Sequence, residues 1–104
     1  MADMTMTEQN ALRRLLQHAN RDTGQARRVA DFLLAWWNPD ACGRFDMRDA
    51  WGCDDAIVED IVTLFGYIAR NNRYPDTLGP QYVREYSDLL ANWRPDLLKA
   101  ENQA

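Results

Sequence analysis

Arg28-Val29-Ala30-Asp31-Phe32-Leu33-Leu34-Ala35-Trp36-Trp37 places eight apolar residues around one acid, Asp31. At helical period Val29, Phe32, Leu33, Trp36 and Trp37 share one face, while Ala26, Ala30, Leu34 and Ala35 make most of the other apolar. A helix apolar nearly all round is one that its neighbours must cover, with Asp31 marking a narrow exit to water. The segment is expected to be the centre of an all-α domain.

The chain before it reads as the partner of that helix. Thr5-Met6-Thr7-Glu8 fits a capping box, so a first helix starts near Met6. Ala11, Leu12, Leu15, Leu16 and Ala19 recur at helical spacing, and Asn20 is expected to stop the helix in a left-handed conformation. Asp22 or Thr23 can cap the central helix, giving an antiparallel hairpin. After it, Asn38-Pro39-Asp40 ends the helix and predicts a loop over 38–45. A short acidic helix follows over Phe45–Gly52, with Asp46 as cap, Gly52 as left-handed terminator and Trp51 as anchor.

Asp54 is expected to cap a third long helix whose broad apolar face takes in Ile57, Val58, Ile61, Val62, Leu64, Phe65, Ile68 and Ala69. Gly66 costs about 1 kcal/mol there relative to alanine, which predicts a second helix crossing close by, the central helix being the natural neighbour. Pro80 opens a fourth helix, with Leu78 stapled onto Val83 and with Tyr82, Tyr86, Leu89 and Trp93 inward; Pro95 closes it. The expectation is therefore a compact bundle of four main helices plus one short acidic helix. The second and third long helices form its centre, and residues 1–5 and 97–104 fray.

With 104 residues, 46% hydrophobic and 27% charged, the chain has the size and composition of one folded domain rather than a disordered segment. No window is apolar for the roughly 18 residues of a membrane span, and Met1–Thr5 has no secretion-signal character, which points to a cytoplasmic protein with no membrane partner. Cys42 and Cys53 are then expected to be reduced. A net charge of −4 opposes direct nucleic-acid binding.

That charge is concentrated. Residues 38–60 carry Asp40, Asp46, Asp49, Asp54, Asp55, Glu59 and Asp60 against only Arg44 and Arg48, while the flanking segments are close to neutral. Such a segment can steer and orient a basic protein partner; its plainer role is a solvated loop and helix end. Trp37 and Trp51 flank it. Burial statistics favour a core role for both, whereas exposure would make either an interface anchor.

Catalytic and metal patterns are weak. Asp22-Thr23-Gly24 matches the aspartic-protease triplet but follows a polar helix end, where a cap and turn suffice. His18 is the only histidine, and with two cysteines that have ten residues between them it forms no zinc pattern. Asp55 and Glu59 lie one helical turn apart, as in dimetal bundles, yet the accompanying histidines are missing; the two acids suit a helix N-terminus facing water. Arg27 and Arg28 resemble the start of a recognition helix, but the apolar run after them leaves little exposed face. No catalytic, metal or cofactor residue is assigned.

At Asp22–Gln25, Arg27–Ala30, Phe32–Asn38, Phe45-Asp46, Phe65-Gly66, Tyr74-Pro75 and Trp93-Arg94-Pro95, the chain resembles a small uncharacterised bacterial domain family found among proteobacterial accessory and mobile-element genes. The resemblance covers about residues 11–96. It implies a stand-alone domain without supplying catalytic residues, and raises roles such as inhibiting host defences. Three functions are thus expected to compete. The leading one is a non-enzymatic interaction module using Asp46, Asp49, Asp54, Asp55, Glu59, Asp60 and Trp51, with homodimerisation as a further option. The others are an acidic inhibitor imitating nucleic-acid phosphates, and a small enzyme pairing His18 with Cys42 or Cys53.

Overall fold

A computed structural model describes residues 4–21 and 23–97. Among them, α1 spans Met6–Ala19, α2 Gly24–Trp37, α3 Pro39–Cys42, α4 Asp55–Arg70 and α5 Pro80–Trp93, with 3-10 turns at Met47–Gly52 and Pro75–Thr77. The all-α expectation holds. The capping box forms as read: Glu8 N donates to Thr5 Oγ1 at 3.1 Å and Thr5 N to Glu8 Oε1 at 2.8 Å. Thr23 caps α2, its hydroxyl accepting from Ala26 N at 3.0 Å; the alternative cap Asp22, and with it the protease-like triplet, lies outside the described residues.

The long helices form a row, α4–α1–α2–α5. Helix α1 packs on both α4 and α2, and α5 packs on the far side of α2. The molecule measures 38 × 34 × 21 Å, so it is about two helix diameters thick. The expected centre is therefore corrected: α1 and α2 form it, and α4 is an edge. Ala11, Leu12, Leu15 and Ala19 of α1 and Ala26, Val29, Ala30, Leu33 and Leu34 of α2 are completely enclosed. Helix α4 runs antiparallel to α1, tied by Arg14 to Asp60 at one end and Arg70 to Glu8 at the other.

An edge position explains two further corrections. Val62 and Phe65, expected inside, are 65% and 58% exposed because α4 has a neighbour on one side only. No helix crosses at Gly66; a Cβ there would meet only the Arg70 guanidinium, at 3.4 Å. On α5, Tyr86, Leu89 and Leu90 are buried, but Val83 is exposed and gives no inward staple for Leu78.

The turns differ in detail from the expected ones. The 38–45 loop contains α3, because the Asn38 side chain caps it by accepting from Ala41 N at 3.2 Å and Pro39 suits a first helical turn. Asn20 is not left-handed; it closes α1 with φ −91°, its side-chain amide donating to Leu16 O. Gly43, with φ 94°, has the positive φ that was expected at Gly52. Near the ends, Met4 is buried and Leu97 packs on the core, so fraying does not extend to these residues; residues 1–3 and 98–104 lie outside the described ones.

Asp31 is where the elements are clamped. Arg27 Nη1, one turn earlier, and Arg94 Nη2, just past α5, each donate to its carboxylate at 2.8 Å. Arg94 also donates Nε to Cys42 O at 3.1 Å, so one guanidinium joins α2, α3 and the end of α5. Nearby, Tyr86 donates to Leu33 O at 3.0 Å, and Trp93 Nε1 to Ala19 O at 2.7 Å. The paired tryptophans are half-buried rather than enclosed: Trp36 donates to Arg73 O at 3.0 Å, and Trp37 leans on Tyr86.

Candidate functional site

The acidic segment folds into a knuckle against the start of α2. Asp46 caps the 3-10 turn by accepting from Arg48 N at 2.9 Å, and the Arg48 guanidinium returns to the same carboxylate at 2.8 Å. Those side-chain bonds, then the backbone bond, lower the Asp46 pKa to about 2. Gln25 of α2 holds the far end, donating to Asp54 Oδ2 at 3.2 Å and accepting from Asp54 N at 2.6 Å. Asp54 thus occupies the cap position of α4 without capping it through its side chain.

Arg28 closes the underside. Its Nη1 donates to Gly52 O at 3.3 Å, and a Cβ at Gly52 would lie 2.5 Å from the guanidinium carbon. The guanidinium fills the space beside Gly52, and Gly52 has no positive φ, which corrects the left-handed terminator. Asp49 sits 3.8 Å from Arg27 and 4.0 Å from Arg28. The two arginines that resemble a recognition-helix start are thus committed to Asp31, Asp49 and Gly52.

Tied on its inner side, the knuckle presents Trp51 and Met47 outward, 85% and 83% exposed. The core role expected for Trp51 is corrected: a six-residue 3-10 turn with no buried residue has no inward face to offer an indole. Trp37, by contrast, is half-buried and lines a shallow groove of about 500 Å³ with Pro39, Asp40, Tyr74 and Asp76.

The acids divide into committed and free groups. Asp60 is 8% exposed and held by Arg14 through two bonds of 2.9 and 2.8 Å, so it is a structural ion pair and not part of an open surface. Asp40 is 3.7 Å from Arg44 and otherwise open to water. Asp55 and Glu59 are exposed on the first turns of α4, with no side-chain hydrogen bond or ion pair among the described residues. Sequence reading missed Gln25, Arg14 and Arg28 as the groups that organise this region. The available signal was the arginine content of the chain before residue 38, which had been balanced within its own segment.

Burial disfavours the thiolate form of both cysteines. Burial pushes the Cys42 thiol pKa up despite Arg94, and burial also pushes up Cys53, whose Sγ donates to Asp49 O at 3.6 Å. Both are free cysteines. His18 Nδ1 lies 3.4 Å from Arg21 Nη1 at the end of α1. Among the described residues no group of three or more His, Cys, Asp or Glu is placed to hold a metal ion, and no helix is long and apolar enough to cross a membrane.

Fold and site together describe a small all-α bundle that displays a tryptophan on an acidic knuckle. The chain belongs to DUF7673, a family of unknown function, with the match spanning residues 9–94. No curated protein and no solved structure matches it.

Proposed function

We propose that this protein is a non-enzymatic interaction module that docks a protein partner on the 46–59 knuckle. Trp51 and Met47 are the apolar anchors and Asp55 and Glu59 the free acids of the rim, with Asp46, Asp49 and Asp54 beside them already engaged by Arg48, by Arg27 and Arg28, and by Gln25. The observation that carries the reading is the 85% exposure of Trp51 on a turn held rigid from behind. Leaving an indole in water forgoes its burial free energy, and a preorganised aromatic among polar neighbours is the usual form of an interface hot spot. The free carboxylates of Asp55 and Glu59 favour a basic rim on the partner, which would speed encounter more than strengthen binding. A phosphate-imitating inhibitor receives less support, because Asp60 and Asp46 are already neutralised by Arg14 and Arg48.

The test is affinity capture with the wild-type chain beside Trp51→Ser and Asp55→Asn/Glu59→Gln variants, each checked by circular dichroism. Trp51→Ser should lose the specific partner at least about tenfold, as a hot spot of about 1.4 kcal/mol or more requires. The acid variant should keep the partner but lose its salt sensitivity. Unchanged capture by a Trp51→Ser/Met47→Ser chain refutes the proposal.

A further inference from the structure

We propose that α4 pairs antiparallel with α4 of a second copy of this chain, forming a homodimer through a face separate from the Trp51 knuckle. Helix α4 is amphipathic twice over. Its inner face, Ile57, Asp60, Ile61, Leu64 and Tyr67, is buried against the bundle. At 100° per residue, Val58, Val62, Phe65 and Ala69 fall within a sector of about 60°, turned roughly 130° round the helix from the buried face. Val62 and Phe65 are largely exposed, Ala69 is exposed and Val58 half-exposed.

This stripe has the spacing of a helix-pairing seam, alternating steps of four, three and four residues. About a two-fold axis at its middle, Val62 lies opposite Phe65 of the second copy, and Val58 opposite Ala69 of the second copy. The pattern is its own complement when reversed, as an isologous interface requires.

The charges along its edge follow the same symmetry. Asp55 and Glu59 flank the stripe near the N-terminal end of α4 and carry no ion pair among the described residues. Arg70 flanks the same edge at the C-terminal end, 69% exposed and touching Glu8 through one nitrogen at 3.4 Å. An antiparallel arrangement keeps this edge on the same side of the seam in both copies and brings Glu59 of each copy beside Arg70 of the other. Gly66 lies between stripe and charges, and the nearest atoms a Cβ there would meet belong to the Arg70 guanidinium, at 3.4 to 3.8 Å, so a flexible side chain of its own helix lies over it.

Helix α4 is 16 residues, about 24 Å long, so the seam is smaller than a standard interface and the dimer should be weak, with a Kd of about 10 to 100 µM. Sedimentation velocity on the full chain tests this. Average mass should rise from 12.1 kDa toward twice that value across the range of about 5 to 500 µM. Phe65→Glu, a change at an exposed site, should hold the chain monomeric with an unaltered helical spectrum. Glu59→Arg should weaken association about tenfold, and Glu59→Arg/Arg70→Glu should restore it. Trp51→Ser should leave the dimer intact, which separates this proposal from the docking function. A wild-type chain monomeric throughout that range, a dimer that survives Phe65→Glu, or a charge swap no better than its single variant overturns it.

Discussion

Replacing Arg94 with alanine removes three contacts at once: Nη2 to Asp31 at 2.8 Å, Nε to Cys42 O at 3.1 Å and Nη1 to Trp93 O at 2.9 Å. The Asp31 bond is charge-assisted and lies where the side chains are 28% and 15% exposed, so screening by water is limited. Such a bond contributes about 1.5 to 3 kcal/mol, and one to a carbonyl about 1 kcal/mol. Asp31 keeps Arg27 in the variant and is not orphaned, which holds the net loss to about 2 to 3 kcal/mol. For a domain of this size that lowers Tm by about 10 to 20 °C. Urea and thermal unfolding by circular dichroism measure it, with Arg94→Lys as a second variant that keeps the charge but cannot reach the acid and the carbonyl with one planar fork. An Arg94→Ala chain within about 0.5 kcal/mol of wild type, or a lysine variant as stable as the parent, would refute the clamp.

Two other substitutions probe single groups. Tyr67 is 1% exposed and its hydroxyl has no hydrogen-bond partner among the described residues, so Tyr67→Phe should raise stability by up to about 1 kcal/mol in the same urea assay; a loss of that size would reveal a bond to water. Arg48→Ala should return the Asp46 pKa from about 2 toward its ordinary value near 4, followed by carboxyl NMR. Because that pKa is depressed on folding, the pairing supports the fold above pH about 4, and its contribution fades as pH falls toward 2. An Asp46 that already titrates near 4 in the wild type removes the argument.

Local signals were legible in the sequence by themselves. The Thr5–Glu8 capping box, the Thr23 and Asp46 caps and the proline that closes α5 each act within four residues, so their chemistry can be read along the chain. The apolar periodicities of α1 and α2 likewise required burial before any partner was known. What tertiary structure decided was which apolar face found a neighbour. The sequence of α4 is apolar on two sides, and nothing in its periodicity says that the bundle covers Ile57, Ile61, Leu64 and Tyr67 while Val62 and Phe65 stay in water. Charge followed the same rule. Asp60 pairs with Arg14 across 46 residues of sequence, so an acid counted with its segment was in fact spent on another helix. Trp51 is exposed because the segment bearing it is too short to have an inside. Short-range hydrogen bonds are written in the order of residues; burial and long-range charge pairing depend on distances that exist only once the helices have packed.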